Sequence, residues 1–243
     1  MMTFDIALPV LNEASTLVRQ VTFLHSYLQR YFPNQDQWRI VIADNGSTDA
    51  TPRLGRQLAQ DLTAVHFLQV SRPGVGLALK TAWSQSTADI VGYMDLDLAT
   101  DVSHFLETYH AIANDDYALV YASRLHPDAT VIGRTLKREV TSRMFNWIIR
   151  NYLGTKFSDG MCGFKFLKRN CYPSLRAGGA RNDGWFFSTE LLTVAEWQGL
   201  RIKELPVQWT DDVSSSRVQV LPLAKRYLSA MRALKRQYAP IAG

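Results

Sequence analysis

From residue 4 to about residue 123 the chain alternates short apolar runs with longer stretches whose apolar positions recur every three or four residues. That alternation is the mark of βαβ units around a mostly parallel sheet. The runs predict strands near 4–10, 39–44, 65–70, 89–95 and 118–123. Between them the spacing predicts helices over 15–31, 51–61, 76–87 and 102–113, with Leu17, Val21, Leu24 and Leu28 on one helical face. Open sheets of this kind bind ligands outside the carboxyl ends of their strands. Asp44, Asp95, Asp97 and Arg124 all fall there.

The second half changes character. It predicts a long basic helix around 134–152, a loop through Ser158, Asp159 and Gly160, and an apolar stretch at 163–167. A helix near 187–198, a strand near 202–209 and a last helix near 222–238 follow. No Pro/Gly/Ser-rich linker, internal repeat or low-complexity tract divides the chain, so one α/β domain over 1–243 is expected, the second half completing a site begun by the first.

Composition narrows the setting. The chain has 243 residues, 47% of them hydrophobic, enough for a large core. No run of eighteen apolar residues occurs, and Met1–Phe4 leads directly into a strand, so neither a membrane span nor a secretory signal is expected and the cytoplasm is the expected residence. Cys162 and Cys171 lack the number and spacing of a zinc site or a disulfide framework and read as free thiols. The formal charge of +5 is unevenly spread: segments 134–150 and 217–236 hold eleven Lys/Arg against one acid, Glu139. Two basic stretches on an otherwise acidic body suggest a polyanionic partner such as a diphosphate, a lipid phosphate, an anionic membrane or nucleic acid.

Four segments carry candidate chemistry. Asp95 and Asp97 close the fourth apolar run; residues two apart on extended chain point the same way, so both carboxylates can reach one hard divalent cation, although a D-x-D pair is also common in solvated turns. Pro9-Val10-Leu11-Asn12-Glu13 places an amide and a carboxylate where the sheet opens, or else starts a helix capped by Ser15. Asp44-Asn45-Gly46-Ser47-Thr48-Asp49 ends the second strand; because a helix follows, Asn-Gly reads as a strand–loop–helix link rather than a hairpin, with Asp44 able to accept a nucleobase N–H and Gly46 admitting a close backbone approach. Arg72-Pro73-Gly74-Val75-Gly76 opens a helix bearing Lys80, which could offer N–H groups and an ammonium to phosphate but lacks the Walker spacing.

Taken in order, these segments resemble glycosyltransferase family 2, inverting enzymes with a GT-A fold that use nucleotide sugars. The resemblance implies that residues 1–125 form the nucleotide-sugar half and 126–243 the acceptor-side half. It implies that Pro9, Asn12, Glu13, Asp44, Gly46, Lys80 and Asp95 line the donor site, and that Asp95 and Asp97 hold Mg²⁺ or Mn²⁺ on the diphosphate. Asp95-Leu96-Asp97-Leu98-Ala99-Thr100 narrows the likeness to dolichyl- and polyprenyl-phosphate glucose synthases; Ala99 stands where mannose-transferring relatives carry a glutamine. Ser123-Arg124, Arg134, Arg138, Asp159 through Lys165, Trp185 through Glu190 and Val207-Gln208-Trp209-Thr210 also fall at matching places. Ser188 replaces an acid of the family's W-x-F-D-x-E stretch.

The implied reaction moves a hexose, glucose from UDP-glucose, to a polyprenyl phosphate. A phosphate acceptor is already an oxyanion, so Arg124, Arg134, Arg138 and Lys165 read as its clamp, against the alternatives of a solvated helix face for Arg134 and Arg138 and a strand edge for Lys165. A soluble hydroxyl acceptor, on a glycan, natural product or modified nucleobase, would instead need a base, for which Asp159 is the candidate unless it is only a turn residue. The last helix, with Leu223, Tyr227, Met231, Leu234 and Tyr238 among Lys225, Arg226, Arg232, Lys235 and Arg236, suits either core packing or peripheral contact with the cytoplasmic face of a membrane, an idea supported by Phe145, Trp147 and Ile148 in the basic segment. A nucleic-acid-binding protein is the remote alternative, lacking helix-turn-helix, zinc-finger and RNP signatures. The sequence sets no oligomeric state.

Overall fold

The computed structural model describes residues 1–210 and 220–238, the latter with side chains from 226 onward. Arg217 lies outside the described residues, and the side chains of Leu223 and Lys225 lie outside those described. The first half follows the sequence pattern closely: β1 (Phe4–Val10), α1 (Leu17–Tyr31), β2 (Trp38–Asp44), α2 (Thr51–Asp61), β3 (Val65–Gln69), α3 (Val75–Gln85), β4 (Ile90–Met94), α4 (His104–Ala113) and β5 (Leu119–Ser123). The second half holds β6 (Thr130–Ile132), α5 (Leu136–Leu153), β7 (Phe164–Lys168), α6 (Tyr172–Ala177), α7 (Phe187–Trp197), β8 (Ile202–Pro206), β9 (Gln208–Thr210) and α8 (Val220–Tyr238). The strand expected over 202–209 is broken at Val207: β8 joins the main sheet, whereas β9 leaves it to pair with β6. Both β6 and α6 are too short for periodicity to reveal.

Seven strands form the central sheet in the order β3-β2-β1-β4-β7-β5-β8. β7 is the one antiparallel member, inserted between β4 and β5 with Tyr93 opposite Lys165. The two halves of the chain therefore share one sheet. Alternation along the strands sends Phe4, Ile6, Leu8 and Val10 into one apolar layer with Leu17, Val21, Leu24 and Leu28 of α1 and with Phe105 and Ile112 of α4. The opposite face packs Ala7, Val91, Tyr93 and Leu119 against Leu79 and Trp83 of α3, Leu191 and Leu192 of α7, and Tyr227, Met231 and Leu234 of α8. Core packing is thus what Tyr227, Met231 and Leu234 of the last helix do, and Tyr238 closes its far end against the Trp197 ring.

With both faces covered, the carboxyl ends of β1, β2, β4 and β5 are left to carry the polar loops. The beginning of α1 also differs from expectation: Thr16, not Ser15, precedes the first helical residue, and its hydroxyl donates to Glu13 Oε2 at 2.8 Å.

One glycine sets how closely β4 and β7 fit. Gly92 faces Phe166 across the ladder, and a Cβ there would overlap the Phe166 ring, which is fully buried and packed against Phe105 and Phe164. Gly92→Ala should destabilise the protein by about 1–3 kcal/mol through overpacking, and Gly92→Ala/Phe166→Leu should recover part of that loss, both read from urea-unfolding midpoints.

Candidate active site

The loops after β1 and β2 are stapled to each other. Asn12, at φ 56°, accepts from Thr48 N at 2.8 Å and Asp49 N at 3.3 Å through its Oδ1, and its own N–H donates to Ser47 Oγ at 2.9 Å. Glu13 N donates to Thr51 Oγ1 at 2.8 Å. Asn12 therefore ties the two loops together, its carboxamide oxygen consumed by the neighbouring loop. Asp44 is fully buried; Oδ1 accepts from Ser47 N at 3.3 Å, while Oδ2 has no hydrogen-bond partner among the described residues. Such an orphaned buried acceptor suits an N–H donor brought by a ligand. Gly46, at φ 86°, turns the chain beside Pro73, and Asn45 Oδ1 accepts from Gly74 N, so the loop before α3 closes the same side. Pro9 sits in the β1 ladder opposite Ala43.

Lys80 is not directed at an open phosphate site. Its ammonium donates to Arg181 O and to Asp183 Oδ1 at 2.5 Å, and Asp183 also pairs with Arg72. Glu190 anchors this 181–183 segment by accepting from Arg181 N at 2.8 Å and Asn182 N at 2.6 Å, and burial pushes its carboxyl up to about 7. Asp183 was not singled out in the sequence because nothing around it marks a motif.

Asp95 and Asp97 follow β4 on a turn closed by Leu98 at φ 51°, with Asp97 Oδ1 accepting from Ala99 N at 3.1 Å. Asp95 N donates to Gly163 O at 2.9 Å, and a Cβ at Gly163 would overlap the Asp95 carboxylate, so only glycine allows the carboxylate its place. Asp95 Oδ1 is buried without a partner among the described residues. Burial first, then the neighbouring Asp97 charge, raises the Asp95 carboxyl to about 7, against the pull of Arg124 and Lys165. Two hard oxygen donors, one of them orphaned and strained by like charge, fit a divalent cation. Among the described residues no group of three or more His, Cys, Asp or Glu could hold a metal, so its remaining ligands would come from diphosphate oxygens and water.

Beyond β5, Asp159 is fully buried and gripped by Arg124, with Nε to Oδ2 at 2.7 Å and Nη2 to Oδ1 at 3.0 Å. Two further N–H groups, of Arg124 and Met161, also donate to it at 3.2 and 3.1 Å. Burial would raise this carboxyl, but the Arg124 charge and hydrogen bonds prevail and hold it at about 2. In this arrangement Asp159 is an ion-pair partner and not a poised base.

Lys165 likewise departs from expectation. It lies in β7 at the centre of the sheet, fully buried, and donates to Cys162 O at 2.6 Å; burial brings its pKa down to about 8. It backs the carboxylates from inside instead of meeting an acceptor. Both cysteines are free, and burial lifts the Cys162 thiol to about 11.

Arg134 is largely buried, donating to Glu139 at 2.9 Å and to Ser142 Oγ. Arg138 is half-buried one turn into α5. Arg124 and Arg134 converge on the ring of Trp209, at 5.3 and 5.8 Å from its centroid. β9 brings that indole in: Thr210 N donates to Ala99 O at 2.8 Å, and Trp209 lines a small cleft with Asp95, Asp97 and Gly163. Trp209 is the member of the site least apparent beforehand, visible only as part of the Val207–Thr210 match. Ser188, in the place of the family's acid, accepts from Tyr93 OH at 2.7 Å and donates to Gly160 O at 3.1 Å, tying β4 to the 159–163 loop without charge.

The raised Asp95 carboxyl predicts a pH dependence. Without metal the folded state binds this proton more tightly than the unfolded chain, whose Asp titrates near 3.8. Asp95 therefore makes stability fall as pH rises from about 4 to about 7. Thermal unfolding across that range should show a shallower fall for Asp95→Asn than for the native sequence. Mn²⁺ must displace the same proton, so its affinity should drop about tenfold per unit below pH 7.

Comparison with known proteins agrees with this geometry. The profile of Glycosyl transferase family 2 matches residues 5–175. Glycosyltransferase AglD of Haloferax volcanii is 34% identical over 206 residues, covering 84% of this chain and 32% of that protein. A dolichyl-phosphate beta-glucosyltransferase of Trichomonas vaginalis is 26% identical over 232 residues, covering 92% of this chain and 70% of its own. The dolichyl-phosphate beta-glucosyltransferase of Saccharomyces cerevisiae is 24% identical over 227 residues, covering 84% and 66%. The chain thus spans about a third of the Haloferax protein and about two thirds of the dolichyl-phosphate enzymes. Among solved structures, glucosyl-3-phosphoglycerate synthase from Mycobacterium tuberculosis, in complex with Mn²⁺, UDP and glucosyl-3-phosphoglycerate, superposes with a TM-score of 0.64 at 17% identity, over 96% of this chain and 80% of that one. S. aureus TarS with UDP-GlcNAc gives 0.61 at 16% identity, over 97% and 66%. These likenesses establish the GT-A fold, and with the profile match they show that the chain belongs to glycosyl transferase family 2, a family of sugar-transferring enzymes.

Proposed function

We propose that this protein is a metal-dependent inverting glycosyltransferase that moves glucose from UDP-glucose to a polyprenyl or dolichyl phosphate. The observation that carries this reading is the convergence of Arg124 and Arg134 on Trp209, beside the Asp95/Asp97 pair. Guanidinium forks match phosphate oxygens in pairs. The dolichyl-phosphate relatives support a lipid phosphate as the acceptor, and the UDP complexes of structural neighbours support a uridine donor.

Donor and acceptor divide the site between them. The orphaned Asp44 Oδ2 accepts a base N–H, and the Asn12–Thr48 staple holds the loops that flank it. A Mg²⁺ or Mn²⁺ ion on Asp95 and Asp97, when bound, supplies positive charge to the departing diphosphate. Arg124, Arg134 and Arg138 orient the acceptor phosphate, whose oxygen attacks the anomeric carbon as the bond to UDP breaks. That oxygen carries no proton at neutral pH, so no base is required. Asp159 then acts by fixing the Arg124 fork, consistent with a carboxyl held at about 2.

Thermal unfolding with UDP, GDP, CDP and dTDP, each with and without Mn²⁺, tests the donor site. A metal-dependent rise in melting temperature with UDP, absent in Asp97→Ala, is expected; a folded protein indifferent to all four would overturn the reading. Arg134→Ala should leave the UDP response intact and raise KM for a short-chain polyprenyl phosphate by about 10- to 100-fold, the worth of a charged hydrogen bond. Equal use of the lipid phosphate by this variant would remove Arg134 from the acceptor site.

A further inference from the structure

α5 leaves an apolar stripe uncovered. Leu136 is 79% exposed, Val140 56%, Met144 56% and Trp147 58%, whereas Asn146, Ile149 and Leu153 of the same helix are buried. At 3.6 residues per turn the four exposed side chains fall within an arc of about 80°. The selection differs from what the sequence suggested. Trp147 is exposed as expected, but Phe145 turns inward onto the Tyr227 ring, Ile148 packs on the core, and Tyr227, Met231 and Leu234 of α8 lie inside the protein. Ile132, just before α5, is 47% exposed as well.

The charge around the stripe is positive. Lys137 flanks one side, and Arg143 and Arg150 the other. Glu139, the one acid of the helix, is already shared between Arg134 and Arg143. The Arg150 carbonyl accepts from Gly154 N and Thr155 N, while its guanidinium makes no hydrogen bond or ion pair among the described residues. Beside it a groove of about 360 Å³ runs between α5 and the 158 loop, walled by Leu125, Met144 and Trp147 and edged by Arg143 and Arg150. Large exposed apolar side chains rimmed by cations match the polar–apolar boundary of a bilayer, where the chains enter the acyl region and the cations meet lipid phosphates. Another protein's surface would need acidic groups to answer the same rim.

We infer that the outer face of α5 docks on an anionic membrane, with Leu136, Val140, Met144 and Trp147 inserted and a lipid phosphate held at the Arg143–Arg150 groove. This goes beyond the proposed reaction and does not require it. Its consequence for that reaction is positional, because Thr135 caps α5 directly after Arg134 and a docked helix therefore starts at the acceptor arginines.

Co-sedimentation with vesicles tests it, using phosphatidylcholine alone and phosphatidylcholine with about a third phosphatidylglycerol. The native protein should bind the anionic vesicles at least about tenfold more tightly than the neutral ones. Leu136→Gln/Met144→Gln/Trp147→Gln should lose about tenfold or more, as should Arg143→Gln/Arg150→Gln, which leaves the stripe intact. Both variants should keep the native melting temperature and the UDP response, so a failure here is separable from a failure of the donor site. No binding by the native protein, undiminished binding by both folded variants, or a native dimer in solution that the triple variant converts to monomer would overturn the inference, the last assigning the face to a second copy.

Discussion

The pairing of Arg124 with Asp159 is the interaction on which the site depends. Two charges taken out of water cost several kcal/mol each unless their geometry is nearly ideal, and removing one partner of such a pair typically costs about 3–5 kcal/mol. Here the pair is bidentate, and the Asp159 carboxylate takes two more N–H donors. Because Arg124 follows β5 and Asp159 precedes the antiparallel β7, this one ion pair fixes the exit of β5 beside the entry of its neighbour β7. The 159–163 loop so fixed delivers Gly163 against Asp95 and Cys162 O against Lys165. Arg124 in turn presents its guanidinium to Trp209, where Arg134 joins it. The Arg124 and Arg134 guanidinium groups and the Asp95 carboxylate are therefore held by one rigid set of contacts.

Opposite electrostatic fates follow from this arrangement. Asp159 and Asp95 both end up buried near Arg124, yet one carboxyl is held at about 2 and the other raised to about 7. Asp159 has the direct hydrogen bonds, whereas Asp95 has a like charge two residues away and an oxygen with nothing to meet it. A saturated carboxylate is a structural anchor; an unsatisfied one is a place for a ligand cation. Sequence could not separate the two roles, since each residue is simply an aspartate at the end of a predicted strand or beside a glycine.

Much of the fold was readable from period and order. The five strands and four helices of the first half lie within a few residues of their expected bounds, because each apolar run is bounded by a turn and each helix has a continuous buried face. Local pattern does not encode which strand lies beside which, so the antiparallel insertion of β7 and the departure of β9 toward β6 came only with the structure. The same limit governs the site. Asp44, Asp95, Asp97 and Arg124 lie at or just past strand ends as the pattern predicts, where such folds bind ligands. Lys80 was assigned to phosphate from the helix start at 72–76 and Lys165 from the family match over 159–165, and neither signal shows the actual partners: Asp183 lies over a hundred residues from Lys80, and Cys162 O is hidden within a strand approach. The exposed side of α5 was read correctly at Trp147 and not at Phe145 and Ile148, for a related reason: spacing along a helix does not declare which of its apolar residues the neighbours will cover.

The anomeric configuration of the reaction product is the sharpest check on the proposed transfer. UDP-glucose carries its sugar in the α configuration, so a single in-line displacement by the lipid phosphate must give the β anomer. NMR of the product formed from UDP-glucose, Mn²⁺ and a short-chain polyprenyl phosphate should show a β-linked glucosyl phosphate. An α-linked product, or glucose found only on hydroxyl acceptors while the lipid phosphate is left untouched, would contradict it.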